Sequence, residues 1–311
     1  MHSKYLQTST EINPHLRTQE SATMTSKEVR IQEEVAQLTA ADADLMEESR
    51  LSENASSEQV ERPANSSPTS SIEFVPLRMG GNGGTHKVSE GSARLIEEEV
   101  TLDDLKRMTG LFYEKAFQDE TLDKFIRSHA DPHGDRFAKW IHQKLSGSNV
   151  WDQDRRERSK EPVQLAGGYR HIVHDRSSAH VAAWHSPKRP AQESGRHFQL
   201  DECRVWMRLH FWAMREAGLM ESAPAFCDYY VRFIGHFVRV YESTAPAFAR
   251  DSLRWSEDPS NITKYLADGR RMTDVLGLTM DEAEDQIPEH EANDFEWPYN
   301  QAPQSQDVSG R

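Results

Sequence analysis

The sequence predicts an all-α fold, with one helical domain between two long polar tails, and three observations carry the prediction. Between about residues 100 and 256, apolar residues recur at three- and four-residue spacing, the period of a helix with one buried face. No run in that stretch alternates apolar and polar residues as a half-buried strand does, and hairpin turn pairs are missing between the periodic segments. On either side the composition turns to Ser, Glu, Thr, Asn and Asp, which cannot bury enough apolar surface to offset chain entropy.

Residues 1–95 include SENASSEQVERPANSSPTSS and end near the Gly-rich MGGNGGTHK, so they form a disordered region with at most a transient helix at SKEVRIQEEVAQLTAADADLMEESRL. The folded domain spans 96–256. Its first confident helix starts at a capping box, Thr101 with Asp104, and carries Leu102, Leu105, Phe112 and Phe117. A second, DPHGDRFAKWIHQKL, has Asp131 as N-cap and Pro132 in its first turn, with Phe137, Trp140, Ile141 and Leu145 on its apolar side. A polar stretch with the basic cluster DRRERSK follows, then a short helical piece, SSAHVAAWH, halted by Pro187 and Pro190. The two strongest helices come last. Asp201 caps ECRVWMRLHFWAMREAGL, whose Val205, Trp206, Leu209, Trp212 and Ala213 make a wide apolar face and whose stop is Gly218. Pro224 opens the next, with Phe226, Tyr230, Phe233, Phe237 and Tyr241 in register. Residues 257–311 form an acidic, mostly disordered tail with a short helix near NITKYLADGRRMTDVLGL.

Composition narrows the function classes. The 311 residues carry a net charge of −14, and even with the 16 glycines counted the apolar share stays below the ~45–50% of an ordinary globular domain. That deficit lies in the tails. So acidic a chain repels a phosphate backbone, and nucleic acid is not the expected partner. No apolar stretch approaches the ~20 residues that cross a bilayer and the N-terminus has no signal-peptide core, so a cytoplasmic protein with no membrane partner is expected. The two cysteines, Cys203 and Cys227, both fall on amphipathic helices and read as packed thiols.

The chemistry-bearing residues are mainly histidines, 14 in all. His129, His133, His171, His174, His180, His185, His197, His210 and His236 lie in the folded segment, where a neutral imidazole can ligate metal or sit as a satisfied core residue. No pair matches HExxH, and GxSxG, GxxxxGK[ST] and a strand-borne GxGxxG are absent.

Five segments together resemble a known family. LFYEKAFQDETLDKFI is similar to the helix B to CD region of truncated hemoglobins, and DPHGDRFAKWIHQKLSG looks like their helix E running into a Gly-containing turn. LDECRVWMRL resembles their helix G, and with AHVAAWHSPKRP and YYVRFIGHFVRVYE the likeness covers roughly residues 100 to 255. The resemblance implies a globin-like helical sandwich around one haem that binds dioxygen or another diatomic gas, with nitric oxide or redox chemistry if a reductase supplies electrons. Carried over, Tyr113 is the distal tyrosine of helix B, Phe125 or Ile126 the haem-contacting residue at the corner after helix C, and His133 the distal residue of helix E. Phe137 walls the pocket and Trp206 packs on the haem from helix G. The metal ligand is His180 first and His185 second, with His197 too close to Asp201 for a helix to hold it. The segment SPKRPAQESGRHF departs from the family as an insertion, where Lys188 or Arg189 would pair with a propionate, as would Arg170 or Arg176. Two other readings stand beside this one: a haem-free helical interaction module that keeps the fold, and a non-haem metal site of His171, His174 and His180.

Overall fold

The computed structural model describes residues 72, 74–80, 86–165, 168–171, 174, 176–294 and 297–299. The chain is mostly helical, as the periodicity predicts. Helix α1, Glu90–Arg94, starts at a Ser89–Ser92 capping box and passes into a π-helical turn, Leu95–Glu99. Helix α2, Leu102–Ala116, opens on the predicted Thr101–Asp104 box. A 3-10 turn, Asp123–Phe125, leads to α3, His133–Ser146, and then α4, Val150–Lys160. A two-stranded antiparallel hairpin, β1 Val163–Leu165 with β2 Gly168–Arg170, precedes α5, Arg176–Trp184. Helices α6, Leu200–Glu216, α7, Leu219–Ser222, and α8, Pro224–Val238, follow. The C-terminal part adds α9, Ala249–Trp255, α10, Pro259–Ala267, α11, Met280–Glu284, and α12, Glu289–Ala292.

The main core lies among α1, α2, α3, α6 and α8, where Leu95, Leu105, Ile141, Phe211, Phe226 and Phe233 are fully buried. Helices α2 and α3 cross closely because glycine permits it: a Cβ on Gly134 would stand 3.2 Å from the Gly110 backbone nitrogen. The Thr109 hydroxyl, 2.8 Å from the Gly134 carbonyl, ties the crossing.

Four sequence expectations are corrected. First, helix α3 is not capped by Asp131: Pro132 occupies the N-cap without a side-chain bond, and the Asp131 carboxylate pairs with Arg136 at 2.6 Å. Second, Gln199 caps α6 in a box with Glu202, while Asp201 lies inside the helix and accepts a bond from the Gly277 N–H. Third, the domain extends N-terminally past residue 96: Val75, Leu77 and His86 are buried, Leu77 N–H donates to the Tyr299 carbonyl, and Arg232 donates to that of Val75. The transient helix proposed before residue 51 lies outside the described residues. Fourth, the tail assigned to 257–311 is folded through residue 294. Tyr265, Met272 and Val275 form a second core with Phe112, Val205, Leu209 and Trp255 on the back of α6, each such burial contributing about 1.5–3 kcal/mol over an exposed position. The short helix near NITKYLADG is α10. Residues 300–311 lie outside the described ones.

Candidate functional site

The predicted site residues fall into two aromatic groups. On α2, Tyr113 projects beside Phe112, with ring centroids 5.0 Å apart, and stacks on His133 of α3 at 5.2 Å and 24°. Burial pushes the Tyr113 hydroxyl above the usual phenol range, with Asp131 adding to the shift. That hydroxyl makes no hydrogen bond among the described residues, and neither does the Trp206 indole N–H. His133 is engaged elsewhere: its Nε2 meets the Ser128 carbonyl at 3.2 Å, and burial lowers its pKa. Its ring is a shelf for Tyr113, and the nitrogen bound to Ser128 is committed to backbone.

Phe137, one turn along α3, packs 6.1 Å from Trp206 and 5.5 Å from His210. Trp206 stacks on His210, four residues on in α6, at 4.7 Å and only 5° between planes. His210 is fully buried, its Nε2 lies 2.8 Å from the Tyr230 hydroxyl, and desolvation pushes its pKa down to about 3.

The second group surrounds His180 on α5. Its Nδ1 lies 3.1 Å from the Tyr241 hydroxyl, and its ring is bounded by Tyr241 at 4.7 Å and Phe198 at 5.7 Å. Phe125 is the buried residue of the corner and reaches Phe198 at 5.0 Å, whereas Ile126 packs against the second core. The two residues of the corner thus face different neighbours.

The other histidines point elsewhere. His185 packs into the loop after α5, where a Cβ on Gly195 would approach its Cε1 to 2.8 Å. His197 stacks on Trp184 at 4.0 Å. His171 contacts the Ser159 carbonyl, and among the described residues no group of three His, Cys, Asp or Glu side chains can hold a metal ion. The non-haem site of His171, His174 and His180 is therefore not formed. The insertion folds on itself: Arg189 is buried and donates to the Trp184 and Arg196 carbonyls, and Lys188 pairs with Asp123 at 2.8 Å. Both cations proposed for a propionate are spent on the protein; the side chains of Arg170 and Arg176 lie outside the described ones. Cys203 and Cys227 are buried free thiols, the latter pushed up to about 12 by desolvation.

Sequence reasoning missed Phe198, Tyr230 and Tyr241 as site residues and weighed His210 only as one histidine among many. The spacing of Trp206 and His210, one helical turn apart, was the available signal.

No family model, curated protein or solved structure matches this chain. No helix among the described residues is long and apolar enough to cross a membrane.

Proposed function

We propose that the protein holds one haem between the two aromatic groups and uses it to bind a diatomic gas. The observation that carries this reading is the pairing of an oriented histidine with uncommitted polar groups: His180 held by Tyr241, and Tyr113 and Trp206 with a hydroxyl and an N–H that bond to nothing else described. Aromatic burial supports it. Phe137, Phe198, Trp206, Phe237 and Tyr241 are only part-buried, although they stand among helices whose neighbouring rings, Phe112, Phe211 and Phe233, are at most 1% exposed. Apolar rings left part-covered beside a dense core suit a flat apolar group.

In this reading His180 would be the metal ligand, with the Tyr241 hydroxyl at its Nδ1 orienting the ring. A bound haem supplies an open coordination position for the gas. Tyr113 donates a hydrogen bond to the gas and slows its escape, while desolvation keeps its proton in place. Phe125, Phe137 and Trp206 keep the site dry, which strengthens that bond. His133 holds the Tyr113 ring by stacking. Whether a reductase adds redox chemistry is a further part of the same proposal.

The test is an absorption spectrum of purified full-length protein given haemin, in ferric, ferrous and carbon monoxide forms. A Soret band that His180→Ala alters supports the reading. A folded, helical, colourless protein refutes it and favours the haem-free module.

A further inference from the structure

Helix α8 carries a glycine in its interior, Gly235, where alanine would serve the helix better. The position has a packing reason. A Cβ there would overlap the Trp297 ring, 2.9 Å from its Cζ3 and closer still to its Cη2, and would stand 3.4 Å from the Ala249 Cβ. The ring therefore fills a slot between α8 and the start of α9. Trp297 and Tyr299 are part-buried, and Pro298 between them is buried.

Three side chains of this segment meet three different groups. Asp294 ties it at one end: one carboxylate oxygen meets the Arg250 guanidinium at 2.6 Å, and the other accepts the Trp297 N–H at 3.1 Å. The same guanidinium lies 4.9 Å from the Trp297 ring centroid, so Arg250 holds a carboxylate and an aromatic face at once. Tyr299 ties the other end, with its hydroxyl 3.2 Å from His236 Nδ1 and its ring 5.9 Å from Arg239. Its carbonyl accepts the Leu77 N–H at 3.1 Å, which joins it to the N-terminal segment. Apolar packing alone needs only a ring of about the right size; a matched carboxylate, a ring admitted by glycine and a hydroxyl on a histidine select a sequence.

We infer that this slot is a recognition site for a short acidic–aromatic peptide, with Trp and Tyr three and five residues after an Asp, and that the chain's own residues 294–299 occupy it in cis. Gly235 supplies the space, and Arg250 and His236 supply the polar contacts; no haem is required. Being tethered, the segment acts at an effective concentration of about the millimolar range, so micromolar free peptide of the same sequence is shut out. When the segment leaves, Leu77 loses the carbonyl it donates to. Occupancy of the slot is thereby linked to the hold on the N-terminal segment, and the linkage runs both ways.

The experiment uses the full-length protein without haem and a fluorescein-labelled peptide of residues 291–302. Fluorescence polarisation should show saturable binding to the double variant Trp297→Ala with Tyr299→Ala, whose own segment has lost both rings. Binding to the unaltered protein should be weaker by about tenfold or more, because its slot is filled. Adding Gly235→Ala to the double variant should weaken binding by about tenfold, since the new Cβ takes the space of the ring. No binding to the folded double variant, equal binding to the unaltered protein, or indifference to Gly235→Ala overturns the inference. Should the double variant not fold, Gly235→Ala alone decides: chymotryptic cleavage after Tyr299 should quicken by about tenfold while circular dichroism stays helical. Unchanged cleavage in that variant overturns the inference as well.

Discussion

The Tyr241 hydroxyl lies 3.1 Å from His180 Nδ1, joining the turn after α8 to the middle of α5 across 61 residues of sequence. A ligating histidine held at its second nitrogen keeps its ring orientation and basicity. Tyr241→Phe is therefore expected to weaken haem retention by about 10- to 100-fold, the usual cost of losing such a partner. Transfer of haem to an apo-globin acceptor measures it. His180→Ala should alter the Soret band outright, and full haem content with unchanged spectra in that variant would remove His180 from the ligand role.

In the proposed gas site, Tyr113 and His133 should separate sharply. Tyr113→Phe removes a hydroxyl with no other described partner, so gas dissociation should quicken by about tenfold, the kinetic equivalent of one hydrogen bond of roughly 1.4 kcal/mol. His133→Ala should change the rate less, because its Nε2 is bonded to the Ser128 carbonyl. Stopped-flow dissociation rates check both. Equal effects from the two variants would mean that the stacking on Tyr113, and not its hydroxyl, governs release.

What was legible in the sequence was local. The Thr101–Asp104 box, Pro224 at the first turn of α8 and Gly218 with φ 74° past α6 sit where their chemistry requires. The failures arose where another partner outbid the helix cap. Asp131 looked like a cap but bonds Arg136, and Asp201 looked like one but receives Gly277. Helix α4 has no buried residue, so the apolar period that identifies other helices is missing there. The acidic C-terminal run reads as solvated because its arginine partners lie far off in sequence: Asp274 meets Arg208, Asp294 meets Arg250 and Glu291 meets Arg254. For the candidate site, the family resemblance pointed to Tyr113, Trp206 and His180, but nothing local revealed that His210 is sealed and His133 turned to backbone.

Acid should destabilise the fold early. His86 and His210 are held neutral by burial, each pushed down to about 3 from 6.5. Below 6.5 the unfolded chain gains a proton at each site that the folded chain refuses, so stability is intact above 6.5 and falls with pH toward about 3. By about pH 5 each histidine costs roughly 2 kcal/mol. Asp119, raised by desolvation, titrates in the opposing sense and offsets part of this. Urea midpoints at neutral and acid pH measure the slope. His86→Gln, which can still meet the Tyr229 hydroxyl now 2.6 Å from Nε2, should lose about half the histidine share of it. A slope unchanged by that variant would place the pH dependence in other groups.

The C-terminal segment should prove structural through Asp251. Arg204 and Arg208 on α6 are buried, at 0% and 3% exposure, and both guanidinium groups converge on one Asp251 oxygen at 3.3 and 3.4 Å. Gln286 accepts from Arg204 at 2.6 Å and Asp274 from Arg208 at 2.5 Å, so residues far beyond the predicted domain end help hold these two charges. Removing one carboxylate from a buried cluster leaves charge without compensation, at a cost of about 3–5 kcal/mol. Asp251→Ala is expected to cost that much, while Glu257→Ala, which breaks the more exposed pair with Arg215, should cost less than about 1 kcal/mol. Chemical denaturation of the two variants side by side decides it. If Asp251→Ala were as mild as Glu257→Ala, the cluster would have to be hydrated.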